Sequence, residues 1–175
     1  MSRIKRKPLS FNTTMRNPDR LAAFLSVLSK YEGQILTNDI IYEVCYELIM
    51  EKLYVTQTQK QVSEWKMILD SDEYYTRKQA IEIVKITPQN HKEAGFDKGW
   101  ASRFDTWYKL SMEFGFCYYS IGEKIEISKL GHLLIDAYHE NPIDNEMIQN
   151  IFLNAMAKFQ TSTPFRRILQ QNVPL

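Results

Sequence analysis

Pro18-Asp19 and Glu64-Trp65-Lys66 match the pattern PD…(D/E)xK, which metal-dependent nucleases use to hydrolyse phosphodiesters. That chemistry needs two carboxylates that converge on Mg²⁺ and a lysine beside the attacking water. Pro18-Asp19, however, is typical of a helix start. Glu64 and Lys66 lie in a polar segment of predicted helix, where residues two apart diverge by about 200°. We therefore expect neither a catalytic residue nor a metal ligand in this chain.

A second set of polar side chains has the spacing to read DNA from one helix, which is predicted from about 96 to 114. At about 100° per residue, its inward arc holds Trp100, Phe104, Trp107, Leu110, Ser111 and Phe114. The opposite arc carries Lys98, Ser102, Asp105, Lys109 and Glu113. Serine, aspartate and lysine side chains can contact base edges, and lysine can equally bind phosphate.

Arg103 lies at the edge of the inward arc, where it either pairs with an acid or extends toward DNA. Our candidate DNA contacts on this helix are Lys98, Ser102, Arg103, Asp105 and Lys109. The same pattern also fits an ordinary solvated helix face, and the sequence leaves both interpretations open.

A short hairpin is predicted directly after that helix, in the stretch FGFCYYSIGEKIEISKLG. Two β-rich runs, Phe116–Tyr119 and Ile125–Ile127, flank a turn in which Gly122 supplies the positive φ. Lys124 in this turn is a further candidate contact to the DNA backbone. Ser128 can cap the next helix. The apolar positions of that helix are Leu130, Leu133, Leu134 and Ala137.

The rest of the chain predicts further helices with recognisable starts. Asn17-Pro18-Asp19, Thr37-Asn38-Asp39 and Thr76 each begin a run of apolar residues at helical spacing. The apolar residues are Leu21, Phe24, Leu25 and Leu28 in the first run, Ile40, Ile41, Val44, Leu48 and Leu53 in the second, and Ala80, Ile81 and Val84 in the third. We also predict a polar helix at about 58–69 and helices at 129–139 and 144–159.

The predicted fold class is mainly α with a small antiparallel β-ribbon. Its later elements are a helix (76–85), a helix (96–114), a hairpin (116–127) and a helix (129–139). This is the order of a winged helix, in which the second helix enters the major groove and the ribbon lies beside it. The predicted parts are a basic arm and helical subdomain (1–72), a winged-helix-like DNA-binding subdomain (73–140) and packing helices (141–175) that lead into a downstream domain.

Composition allows one domain, or two subdomains that share a core, because the 175 residues are 44% hydrophobic. No apolar run approaches the ~20 residues of a membrane span, so we expect no membrane partner. Cys45 and Cys117 lie among apolar residues, which indicates core burial and fits a reduced cytoplasm. The three histidines have no second ligand at zinc-like spacing, and no cofactor motif is present in the sequence.

Charge is unevenly distributed along the chain, although the formal net charge is only +1. Residues 1–18 hold five basic and no acidic residues, and residues 147–175 hold three basic and no acidic residues. Clustered lysine and arginine gain DNA affinity by releasing counterions. The N-terminal run is therefore either a phosphate-binding arm or a solvated tail.

Three stretches resemble the N-terminal part of AlwI-type restriction endonucleases, a family of Type IIS cutters and related nicking enzymes. They are Phe11–Ile40, Tyr108–Ala137 and Phe152–Leu175, and the run Thr13-Thr14-Met15-Arg16-Asn17-Pro18 is the most specific piece. The resemblance implies a prokaryotic cytoplasmic protein whose winged-helix-like subdomains bind a short asymmetric site in double-stranded DNA. It also implies that Arg16 faces the DNA.

The resemblance further implies that cutting belongs to a separate C-terminal Mg²⁺-dependent domain, so that no family catalytic residue falls on this chain. The apolar end, FRRILQQNVPL, likewise suggests a piece of a longer protein. Two alternatives stay open. One is a stand-alone winged-helix regulator, usually a dimer on a palindrome, and the other is a helical protein-interaction module. The oligomeric state and the recognised bases also stay open.

Overall fold

A computed structural model describes residues 18–87, 109–118, 120–142 and 145–157. Its helices are α1 (Pro18–Ser29), α2 (Asn38–Met50), α3 (Gln57–Gln61), α4 (Ser63–Leu69), α5 (Arg77–Ile86), α6 (Lys129–Glu140) and α7 (Glu146–Ala157). Residues 109–113 are also helical. The strands are β1 (Cys117–Tyr118) and β2 (Glu126–Ile127). The prediction of a mainly helical fold with a small antiparallel ribbon is confirmed.

Side-chain caps fix where several helices begin. Thr37 and Ser128 each accept a hydrogen bond from the backbone N–H three residues further on. Thr56 and Thr76 form capping boxes with the glutamine three residues further on, so that two backbone donors are satisfied at each start. The predicted caps at Thr37, Thr76 and Ser128 are confirmed.

The single polar helix predicted at 58–69 is wrong, because the chain breaks at Val62 into α3 and α4. Val62 has an extended backbone, with φ −84° and ψ 118°. Gln59 and Trp65, on either side of the break, are both buried. In one straight helix these two side chains would point about 120° apart. The break turns both of them toward the core.

Helix α1 lies at the centre of the packing and contacts α2, α6 and α7. Its predicted inward residues Leu21, Phe24, Leu25 and Leu28 are all buried, as are Ala22, Ala23 and Val27. A helix that is hydrophobic around most of its circumference must be covered from several sides. Core residues from all three predicted parts of the chain belong to one hydrophobic cluster.

One predicted helix position is wrong, because Leu53 lies beyond the end of α2. Two apolar residues of the predicted helices lie on exposed faces: Leu133 of α6 is 47% exposed and Ile81 of α5 is 36% exposed. The buried residues are instead Gly131, Leu134, Ile135 and Ala137 in α6, and Ala80, Ile83 and Val84 in α5. The neighbouring elements decide which arc faces inward: α1, α7 and β2 for α6, and α2 and α3 for α5.

Both cysteines are buried free thiols, which confirms their predicted place in the core. Burial raises the pKa of the Cys45 thiol, because the thiolate would lose its hydration. Burial also raises the pKa of the Cys117 thiol, and a hydrogen bond with Ser111 opposes this shift. Among the described residues, no helix is both long and apolar enough to cross a membrane.

The ribbon forms as predicted, and a third segment joins it. Cys117 pairs with Ile127 and Tyr118 with Glu126 in antiparallel register. Residues 33–36, between α1 and α2, pair with residues 122–125, directly before β2, through an isolated bridge from Ile35 to Lys124. Four backbone hydrogen bonds hold this pairing: Gly33 N to Ile125 O (2.8 Å), Ile125 N to Gln34 O (2.9 Å), Leu36 N to Glu123 O (2.8 Å) and Gly122 N to Leu36 O (2.9 Å).

Helix α6 lies directly against the ribbon because residue 131 has no side chain. A Cβ atom at Gly131 would lie 2.2 Å from the carbonyl oxygen of Phe116 and 2.7 Å from Cγ2 of Ile127. Backbone atoms cannot move aside as a flexible side chain can. The glycine therefore fixes how closely the helix and the ribbon approach.

Gly131→Ala is expected to lower the free energy of unfolding by about 1–3 kcal/mol, the usual cost of overpacking, although alanine ordinarily favours a helix over glycine. Asp136→Ala, at an exposed position of the same helix, should change it by less than about 0.5 kcal/mol. Denaturant unfolding followed by circular dichroism measures both. A Gly131→Ala protein as stable as the wild type would contradict the close approach.

Candidate nucleic-acid interface

Two of the predicted DNA contacts, Lys109 and Lys124, lie in the described part of the chain. The others, Arg16, Lys98, Ser102, Arg103 and Asp105, lie outside the described residues, as do the aromatic residues Trp100, Phe104 and Trp107. The described part of the candidate interface is therefore the end of the helix predicted at 96–114 and the ribbon that follows it.

The helical residues 109–113 have the two faces that the spacing predicts. Leu110 and Ser111, on the predicted inward arc, are buried, and Lys109 on the opposite arc is exposed. Phe114 is half-buried and packs against the core. The inward arc is therefore confirmed at these positions, and Lys109 lies on the side that faces away from the core.

The helical residues end in a Schellman motif, which sets the direction of the ribbon. Gly115 has a φ of +74°. The N–H of Gly115 donates to the carbonyl of Met112 (3.0 Å), and the N–H of Phe116 donates to the carbonyl of Ser111 (2.9 Å). The hydroxyl of Ser128 donates to the carbonyl of Gly115 at 2.7 Å. The end of the helix, the start of the ribbon and the start of α6 thus share one set of hydrogen bonds.

The base of the ribbon is anchored in the aromatic core. Phe116 is fully buried. Its ring lies 5.3 Å from that of Phe152 in α7 and 5.8 Å from that of Phe114. The pair with Phe152 is edge-to-face, an arrangement that adds to the energy of burial. The far end of the ribbon, by contrast, carries the exposed side chain of Ile121.

The outer face of this small sheet presents Lys124 to solvent. Directly paired residues point to the same face of a sheet, so Lys124 shares its face with Ile35, which is 53% exposed. The alternating residues Ile125 and Ile127 are buried on the opposite face. An ammonium group held at a fixed point on a narrow ribbon can reach a phosphate.

The ribbon alone does not attract DNA electrostatically. Glu123 and Glu126 are exposed close to Lys124, so acidic groups outnumber basic groups within 117–127. The basic residues at 1–18 and 147–175 must therefore supply most of any attraction for phosphates. The ribbon is better suited to a positional contact than to general affinity.

The predicted placement of the nuclease-like residues on helices is confirmed. Asp19 lies in α1, and Glu64 and Lys66 lie in α4. Both α4 residues are exposed, on either side of the buried Trp65. Among the described residues, no group of three or more histidine, cysteine, aspartate or glutamate side chains could hold a metal ion.

Sequence reasoning missed the contribution of residues 33–36 to this site. The segment Gly-Gln-Ile-Leu is too short to give a strand signal of its own. The sequence feature that could have indicated an extended segment was an apolar pair that follows a glycine between two predicted helices. The segment becomes recognisable only through its pairing with the ribbon, almost ninety residues further along the chain.

Comparisons with protein-family models, with curated proteins and with solved structures find no match to this chain.

The purified chain is expected not to cleave plasmid DNA with Mg²⁺ or Mn²⁺, because Glu64 and Lys66 diverge by about 200° around one helix. The matched control is the double variant Asp19→Ala, Glu64→Ala, assayed under the same conditions. Cleavage by the wild type that disappears in the double variant would show that this set is catalytic.

Proposed function

We propose that this chain recognises double-stranded DNA in the manner of a winged helix. The observation that supports the proposal best is the pairing of residues 33–36 with residues 122–125 of the ribbon segment. In winged-helix proteins a short strand after the first helix joins the hairpin in this way. The chain departs from that arrangement in one respect, because α2 to α5 all lie between the short strand and the ribbon.

In the proposed complex, the helix predicted at 96–114 lies in the major groove and the ribbon lies over the adjacent backbone. Lys98, Ser102 and Arg103 contact bases or phosphates, Asp105 contacts a base edge, and Lys109 contacts a base or phosphate near the end of the helix. Lys124 contacts a phosphate from the ribbon. The basic arm, including Arg16, supplies attraction that does not depend on sequence.

The narrower role rests on the resemblance to AlwI-type restriction endonucleases. On that basis the chain is the recognition part of a Type IIS-like enzyme, and a separate Mg²⁺-dependent domain cuts the DNA. Such a part binds a short asymmetric site. Selection of bound sequences from a random duplex pool tests this, because a dimeric winged-helix regulator would return a palindrome. A palindromic consensus would contradict the Type IIS-like role, which requires an asymmetric site, and leave DNA recognition standing.

Lys124→Gln and Lys109→Gln are each expected to weaken binding to duplex DNA, because each removes one cation that contacts a phosphate. If so, the slope of log affinity against log salt should fall by about 0.9 for each substitution. Fluorescence anisotropy over a series of salt concentrations measures this slope. Lys66→Gln is the control, since it removes the same charge from an exposed position on α4.

Equal slopes for all three variants would remove Lys109 and Lys124 from the interface. If the wild type does not bind any duplex even at low salt, the chain does not recognise DNA, and a protein-interaction module becomes the better explanation.

A further inference from the structure

The carboxylate of Glu32 joins three parts of the structure that are distant in sequence. Glu32 lies in the turn after α1, and its Oε1 accepts a hydrogen bond from the backbone N–H of Ile127 in β2, at 3.0 Å. Nε2 of His132 in α6 lies 3.2 Å from both carboxylate oxygens. One side chain thus connects the turn, the ribbon and the helix that follows the ribbon.

This hydrogen bond takes the place of one that the short strand cannot make. On this edge of the ribbon, the N–H of Ile125 donates to the carbonyl of Gln34, and the pairing ends where the N–H of Gly33 donates to the carbonyl of Ile125. The next donor on the same edge is the N–H of Ile127, because backbone donors alternate between the two edges. Opposite the N–H of Ile127, the partner segment is no longer extended, because it belongs to the turn that follows α1. The side chain of Glu32 supplies the acceptor instead.

Loss of the Glu32 acceptor would leave the backbone N–H of Ile127 without its hydrogen-bond partner. Ile127 is buried and its hydrogen bond to Glu32 is partly buried, so its N–H is less accessible to water than a surface N–H. A buried donor without a partner is destabilising, and the ribbon would have to move to satisfy it. The position of β2 against α1 therefore depends on the reach of this side chain.

We propose that Glu32 is a positioning residue that fixes the ribbon, and with it Lys124, in the orientation that binds DNA. This inference rests on the proposed function. The carboxylate does not attract DNA, since its charge repels phosphates. Its geometric effect on DNA binding is therefore opposite in sign to its electrostatic effect, and the two can be separated by substitution.

Glu32→Ala and Glu32→Gln remove the same charge, but only glutamine keeps an acceptor oxygen at the same reach. We expect Glu32→Ala to weaken duplex binding by about tenfold, the equivalent of one hydrogen bond to a charged group. Glu32→Gln should bind as well as the wild type or more tightly. Glu126→Ala is the charge control, because Glu126 is exposed on the same strand and its loss leaves the Ile127 hydrogen bond in place. It too should bind at least as tightly as the wild type.

Hydrogen exchange of the Ile127 amide gives a second readout that needs no DNA. We expect faster exchange in Glu32→Ala and wild-type protection in Glu32→Gln. If Glu32→Ala does not fold, Glu32→Asp makes the same test, since it keeps the charge and shortens the reach. We expect Glu32→Asp to bind more weakly and to exchange faster.

Equal DNA affinity and equal exchange in the alanine and glutamine variants would overturn the inference. Weaker binding by both variants to the same degree would also overturn it, because the effect would then not depend on the acceptor oxygen that glutamine keeps. A wild-type protein that binds no duplex would refute the proposed function instead. In that case the exchange rates would still decide whether Glu32 holds the ribbon in place.

Discussion

The pairing of residues 33–36 with residues 122–125 is the constraint on which the rest of the structure depends. It joins segments almost ninety residues apart, and it does so with backbone hydrogen bonds of 2.8 to 2.9 Å. A two-stranded ribbon is only marginally stable by itself. The third segment stabilises it and ties it to the end of α1, the helix around which α2, α6 and α7 pack.

The ribbon is held at its other end by close packing and by polar side chains. Gly131 lets α6 approach the backbone of Phe116, and Ser128 accepts from the N–H of Gly131 and donates to the carbonyl of Gly115. Glu32 satisfies the N–H of Ile127. At these two places a polar side chain supplies a hydrogen bond that the backbone of the ribbon does not make, as buried backbone groups require. The ribbon is therefore part of the core and not a loose appendage.

Because of the way charge is distributed, general attraction for DNA and the placement of DNA on the protein would depend on different parts of the chain. The basic residues near the two ends of the sequence can attract a polyanion. The body between them is acidic, and on α2 the carboxylates of Glu43 and Glu47 are already paired with Arg77 and Lys30. DNA that is attracted to the ends would be repelled by most of this surface. In the proposed complex, only a few fixed points such as Lys124 would contact it closely.

The sequence by itself determined the local elements. The caps at Thr37, Thr76 and Ser128, the positive φ of Gly122 and the hairpin near it depend on residues within a few positions of each other, and such patterns can be read directly. Only the tertiary structure decided which arcs of α5 and α6 face inward and that residues 33–36 pair with residues 122–125. It also decided the break at Val62 and the role of Glu32. In each of these cases the residues that decide the outcome are distant in sequence. The spacing of residues along the chain does not show which distant segments come into contact.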